Sequence, residues 1–429
     1  MFSGDDFSVM LYVLASSVFL SDFADMLVRL YLRRQQTGGS DRGVGQGTSV
    51  PLAVGTFTPY QVQLHVRPFA VVASVHNAGA QIDRFLKAME PLKAEMWFID
   101  DRSTDDTADR IVAAGFRCLR AEVNRGKPGA LRRLVESLPE DVASILVMDP
   151  DVRILTSMED LRQIVFELQR TEMAALTPRV AAAGNGWLAR IQQLEYWVAC
   201  SLGRKSLGDF TITSGVALYR ADALRRIYRQ HSLSVYAEDF ENALILLAAN
   251  EKIYYDGRFV IETDAIDTIP RLFSQRVGWY FGLIRVYSQR WRSIWPRARR
   301  QPYFAYQYLL YTGALVLLLH PVKLFALAVL ALSAANGIDN LLRLDQIPDH
   351  TVSNPLYFVV IYLQCLGLML LTWVVGVGRH DRMRVLPIVP LYPIYALAHF
   401  VPATVGYLNW LTLRLWGRVV YRDHYQPAS

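Results

Sequence analysis

Cysteine is nearly missing: Cys118, Cys200 and Cys365 are the three in 429 residues, and they lie far apart. Three scattered thiols make neither a disulfide framework nor a clustered metal site, and nothing in them argues for an oxidising compartment. Charge is sparse as well, at 20% of residues against 52% hydrophobic, which is greasier than a typical soluble enzyme. There is no Walker-type phosphate loop and no internal repeat. The net charge of +6 is modest, and its arginines concentrate beside hydrophobic stretches. That distribution reads as a bias toward a membrane surface and excludes a nucleic-acid footprint.

What the chain does have is long apolar runs. About 18 or more apolar residues are needed to cross a hydrocarbon core roughly 30 Å thick. Residues 7–32 approach that length, interrupted by Asp22 and Asp25. Residues 309–335 are broken by His320-Pro321 and Lys323, 356–377 form the cleanest run, and 388–411 are rich in proline. The first run lacks the basic start and small-residue cleavage site of a signal peptide, so it reads as a retained anchor spanning 1–34. Its front flank is acidic (Asp5, Asp6) and its rear flank carries Arg29, Arg33 and Arg34, which places the following segment in the cytoplasm. One anchor and three later spans would leave the C-terminus outside, yet Arg414, Arg418 and Arg422 favour the inside. A re-entrant 388–411 or a hairpin at 309–335 would reconcile the two.

Residues 35–60 are rich in Gly, Ser, Thr and Gln, and 35–67 reads as a flexible linker. From 68 to 268 short β-rich runs alternate with amphipathic stretches of helix length, the pattern of a parallel sheet covered by helices. Strands are predicted at 69–75, 96–99, 116–121 and 144–148, and helices at 81–89, 105–114 and 129–137. Three of these strands end in polar tips: His76-Asn77, Asp100-Asp101 and Asp149-Pro150-Asp151. Ligands of open α/β sheets bind beyond such carboxyl ends. Residues 269–302 interleave Trp279, Trp291 and Trp295 with arginines, as helices lying in a membrane interface do. Residues 303–413 hold the C-terminal spans, and 414–429 form a basic tail.

Four segments carry candidate chemistry. The run Phe98 to Thr107 stops a hydrophobic strand at two carboxylates that can accept hydrogen bonds from a base and ribose, although an ordinary capped helix start uses the same residues. Asp149-Pro150-Asp151 suits Mg²⁺ or Mn²⁺ held by one or two carboxylates together with substrate phosphates, and it equally suits an exposed acidic turn. Asn124 to Ala130 is a glycine turn with Lys127 at a helix start, a setting that favours an anion such as phosphate. Glu238-Asp239 opens an apolar helix, where acids are also favoured electrostatically.

Taken in order, these motifs resemble the processive family 2 glycosyltransferases, the group containing cellulose, chitin, hyaluronan and poly-N-acetylglucosamine synthases. The resemblance covers roughly 69–279 by motif and the whole chain by architecture. It implies an α/β GT-A-type glycosyltransferase domain, with a mostly parallel sheet and helices on both faces, plus transmembrane and interfacial α-helices. It further implies a nucleotide sugar, UDP-linked, contacted by Asn77, Asp100, Asp101, Lys127 and Asp149, and a Mg²⁺ or Mn²⁺ held by Asp149 and Asp151. Asp239 corresponds to the general base. Ser214, Gly215, Glu238, Gln275, Arg276 and Trp279 fall on the acceptor or product side, and the other implied partners are membrane lipids and a growing glycan or lipid acceptor.

Two positions depart from the family pattern. The opening Asn-Glu pair is Asn77-Ala78, and the Gln-x-x-Arg-Trp motif is Gln275-Arg276-Val277-Gly278-Trp279, with Gly278 in the arginine's place. Arg276, or Arg290 beside Trp291, is the candidate substitute. The expected activity is inverting, metal-dependent hexosyl transfer that builds a β-linked polysaccharide or oligosaccharide at a bacterial inner membrane, with the catalytic domain cytoplasmic. Transfer of a single sugar to a lipid carrier is one alternative. A catalytically silent partner of a glycan export system is the other.

Overall fold

The computed structural model describes residues 66–204 and 207–325, isolated positions between 328 and 370, and 386–421. The predicted anchor, nearly all of the linker, most of the 356–377 run, the second half of the 309–335 run and the end of the basic tail lie outside the described residues.

Strand β1 (Phe69–Val75), β2 (Met96–Asp100), β3 (Arg117–Arg120) and β4 (Ser144–Met148) alternate with helices α1 (Gly79–Met89), α2 (Thr107–Ala113) and α3 (Gly126–Ser137). There follow β5 (Val152–Ile154), α4 (Met158–Arg170), β6 (Met173–Ala183) and α5 (Trp187–Tyr196), which runs on as a π-helix, Trp197–Arg204. β7 (Ala217–Arg220), α6 (Ala221–Gln230), α7 (Glu238–Ala248) and β8 (Lys252–Asp264) complete the domain.

The strands form one sheet in the order β3-β2-β1-β4-β7-β6-β8-β5. β1 and β4 read as nearly unbroken apolar runs because both of their faces are covered. One face buries Val72, Ile145 and Val147 with Leu131 and Leu134 of α3, Leu224 of α6 and Leu244 of α7. The other buries Val71, Ala73 and Leu146 with Phe85 of α1, Ile111 of α2 and Leu161 of α4.

All four predicted strands and all three predicted helices are present, with ends that coincide or shift by at most three residues. The sheet is mostly parallel, as expected, with antiparallel pairings in its second half. β1 to β4 are parallel, as are β6 and β8, whereas β7 runs antiparallel to β4 and β6, and β5 antiparallel to β8. The consequence is functional: antiparallel β7 begins where β4 ends, with Ala217 opposite Val147. The 213–215 loop is thereby delivered to the Asp149 tip.

The arginine- and tryptophan-rich segment is one helix, α8 (Ile269–Ala298), 30 residues long and so about 45 Å. Pro296 falls in its last turn, where little helix is left to break. A short helix α9 (Pro302–Ala305) and a π-helix, Tyr306–Leu318, follow, and later α10 (Tyr392–Ala398) and α11 (Phe400–Trp416). The segment Leu386–Trp416 is, among the described residues, the one stretch long and apolar enough to cross a membrane by length and composition.

Candidate active site

Parallel register brings the tips of β1, β2 and β4 side by side, with Val75 opposite Asp100 and Ala73 opposite Met148. Asn77 turns the chain with a φ of 49°, and its Oδ1 accepts from the Thr104 amide at 2.8 Å. Asp100 and Asp101 are 4% and 2% exposed. The Ser103 amide and hydroxyl donate to Asp100. The Arg125 amide donates to Asp101 at 2.9 Å, and burial raises the pKa of the Asp101 carboxyl, which that amide only partly offsets. These three residues, expected at the nucleotide, are thus engaged in shaping the loops around the tip. Asp101 in particular ties the end of β2 to the 124–127 turn. Gly126 sits there at φ 68°, and a side chain on it would press Val235.

The turn presents Lys127. Its ammonium lies 2.5 Å from Asp149 and 2.6 Å from Glu238. Burial works against its charge, but the two carboxylates hold its pKa well above the ordinary lysine value. Asp151, two residues after Asp149, is exposed as a residue while its carboxyl is crowded by neighbouring atoms. That crowding, with the neighbouring Asp149 charge, pushes its pKa up. Gly215 packs directly on this group: a Cβ there would overlap Asp149 Oδ2 and come within 3.5 Å of Lys127 Nζ. Ser214 is turned inward, its hydroxyl donating to the Val216 carbonyl at 2.5 Å and lying 3.3 Å from the Thr177 hydroxyl.

Asp239 stands in the first turn of α7, next to Glu238. Burial, reinforced by the Glu238 charge and opposed by Lys127 and Arg204, pushes its carboxyl up to about 6. The turn before it is held twice. The Thr213 hydroxyl donates to the Asp239 carbonyl at 2.7 Å, and Ala237 adopts φ 56°, a left-handed conformation that an alanine accepts only when its surroundings impose it. Those surroundings include Gly282 of α8, where a Cβ would lie 2.7 Å from Tyr236 Cβ and 2.8 Å from Ala237 Cβ. Gly406 of α11 meets α8 at Tyr280-Phe281, where a Cβ would lie 2.9 Å from the Phe281 nitrogen.

No group of three or more His, Cys, Asp and Glu side chains suited to a metal exists among the described residues. Asp149 and Asp151 nonetheless fit a hard divalent cation. They are oxygen donors crowded enough to raise a carboxyl pKa, and the same place already accommodates the Lys127 ammonium.

Neither candidate substitute for the arginine absent at 278 is free. Arg276, 1% exposed, pairs with Glu195 of α5 at 2.6 Å and lies 3.8 Å from the centre of the Trp279 ring. Gln275 also accepts from it. The Tyr395 hydroxyl of α10 donates to the same Glu195 at 2.6 Å. Trp279 is 43% exposed and faces Tyr196, with ring centres 6.5 Å apart. Arg290 pairs with Glu241 of α7 at 2.5 Å. Sequence reasoning missed Glu195, Glu241 and Gly282, because each acts through a partner distant in sequence. Arg276→Met is expected to destabilise the fold by about 3 kcal/mol by leaving the part-buried Glu195 carboxylate with the Tyr395 hydroxyl but without its counter-charge, and Glu195→Gln added to it to recover most of the loss. Thermal melting of the two variants checks this.

Residues 70–228, from β1 into α6, match the family described as Glycosyl transferase family 2, and this part of the chain is similar to it. The chain is similar to an N-acetylglucosaminyltransferase of Rhizobium meliloti (strain 1021), 22% identical over 147 residues, covering 31% of this chain and 34% of the relative. It is also similar to one from Mesorhizobium japonicum, 23% identical over 212 residues, covering 44% and 48%. The chain thus matches between a third and a half of the length of these relatives. A mannosyltransferase from Pyrobaculum calidifontis, solved in complex with GDP-Man and Mn²⁺, aligns over 92% of this chain and 99% of its own with a TM-score of 0.55 at 15% identity. That likeness shows a shared fold.

Proposed function

We propose that the protein is an inverting, metal-dependent membrane glycosyltransferase that takes a UDP-sugar and adds it, β-linked, to a growing glycan. N-acetylglucosamine is the leading donor sugar, on the names of the curated relatives. The observation that carries the reading is the convergence of Lys127, Asp149 and Glu238 within ion-pairing distance, with Asp239 adjoining. With three carboxylates about one ammonium the cluster is net acidic, so it would receive a diphosphate together with a divalent cation, at the strand ends where ligands of such sheets bind. The apolar segment Leu386–Trp416 supports a membrane setting, and Arg29, Arg33 and Arg34 behind the first apolar run favour a cytoplasmic catalytic domain.

Asp149 and Asp151 would hold Mg²⁺ or Mn²⁺, which when bound neutralises charge on the departing diphosphate. The mannosyltransferase of the same fold carries Mn²⁺. Lys127 offers its ammonium to the same phosphates. Asp239 takes the proton of the acceptor hydroxyl as that oxygen bonds to the anomeric carbon and the bond to the diphosphate breaks. One displacement inverts the centre, so an α-linked donor yields a β-linked product.

A base must be ionised, and burial holds Asp239 near 6. kcat/KM is therefore expected to fall as pH drops through about 6, a limb that a pH profile at constant metal and donor measures. The overall reading is tested by incubating the purified protein with a panel of UDP-sugars and Mn²⁺ or Mg²⁺ and sizing the product. Turnover should vanish with EDTA and return with either ion; full activity in EDTA would remove the metal from the scheme. Transfer of one sugar to a membrane lipid is the second reading, favoured by Gly278 where the processive enzymes have arginine. It would give a single-sugar lipid in place of a ladder.

A further inference from the structure

Beyond the close approach at Gly406, α8 and α11 line a cavity of about 640 Å³ with Ser288, Gln289, Trp291, Arg292, Trp410 and Arg414. On α8 these positions follow the i, i+3, i+4 spacing of one helix face, and Trp410 and Arg414 are one turn apart on α11. The Trp410 indole N–H donates to Ser288 at 3.3 Å and joins the two walls.

The charges set this cavity apart. Its lining contains two arginines and no acid. Arg276 and Arg290 on the same helix are paired with Glu195 and Glu241, whereas among the described residues neither Arg292 nor Arg414 has an acidic side chain within ion-pairing distance. Each instead lies over a tryptophan, Arg292 at 5.5 Å from the Trp291 ring and Arg414 at 5.8 Å from Trp410. At these distances the guanidinium groups sit near the ring faces and keep their N–H groups available to a phosphate. Exposed Leu411, Leu415 and Trp416 continue from the cavity along α11, an apolar surface next to the paired cations. A ligand with a phosphate at one end and hydrocarbon at the other matches both.

We infer that this cavity binds the phosphate headgroup of an anionic membrane lipid, held between Arg292 and Arg414. The inference rests on the membrane setting proposed above and concerns a surface separate from the Asp149 site. An arginine close to an anionic lipid surface contributes about fivefold in affinity. The double variant Arg292→Gln/Arg414→Gln should therefore bind phosphatidylglycerol roughly 25-fold more weakly.

The test is native mass spectrometry of detergent-purified full-length protein titrated with phosphatidylglycerol, phosphatidylcholine or inorganic phosphate. Circular dichroism reports that each variant is folded. The comparison variant Arg299→Gln/Arg300→Gln removes equal charge from exposed positions outside the cavity and should leave binding unchanged. Equal weakening by the two double variants would mean diffuse attraction and overturn the site. So would equal affinity for phosphatidylcholine, or displacement of the lipid by inorganic phosphate at comparable concentration, which would mark a free-anion site. The membrane reading fails separately, if the protein leaves broken cells in the aqueous fraction without detergent.

Discussion

Asp239→Asn is expected to lower turnover by about 10²- to 10⁴-fold, the usual worth of a positioned general base, with little change in donor affinity. The substitution keeps the shape of the side chain and removes only its basicity. It carries a second signature that a merely structural residue would lack. Because burial raises the Asp239 pKa above the ordinary carboxylate value to about 6, the ionised form costs stability at neutral pH, and that cost shrinks as pH falls below about 6. The variant should therefore melt higher than the parent at pH 7, by a few degrees, with the difference narrowing in mild acid. Loss of transfer together with a gain in melting temperature identifies a side chain kept at the expense of the fold. Near-normal turnover in membranes would remove Asp239 from the role of base.

Gly215→Ala is expected to reduce turnover by about 10²-fold or more, the scale of loss for an ångström-size misplacement in an active site, without unfolding the protein. The new methyl would overlap the far end of the Asp149 side chain and approach Lys127. A carboxylate can rotate away, so the fold survives, but the rotation breaks the Lys127 pair and turns Asp149 out of its place. Calorimetric titration with Mn²⁺ and UDP should show weakened binding of both, while the melting temperature changes little. If binding and turnover are unaffected, Asp149 is not where donor and metal meet.

The first half of the sheet was legible because its signals are local. The buried runs of β1 and β4 and the polar residues that end them lie within a few positions of one another, and the structure places His76, Asp101 and Asp149 on adjacent tips. The second half of the sheet was not. β6 and β8, which run parallel to each other, are long strands of 11 and 13 residues with mixed burial, so neither an alternating nor a continuous apolar pattern announces them. The fate of Arg276 was hidden for another reason. A lone arginine next to an altered motif invites comparison with the missing one, yet its partner Glu195 lies 81 positions earlier on another helix. Sequence spacing carries no trace of such a pair.

Gly282 of α8 and Gly406 of α11 each stand where a neighbouring backbone or Cβ leaves no room for a methyl. Ordinary helix contacts are cushioned by side chains that can change rotamer and absorb a small displacement. Here the cushioning is absent from both contacts of α8, with an apolar helix and with the strained turn at Ala237. A shift of α11 at Gly406 would press the backbone at Tyr280-Phe281, and the next residue, Gly282, presses the Ala237 turn that precedes the proposed base Asp239.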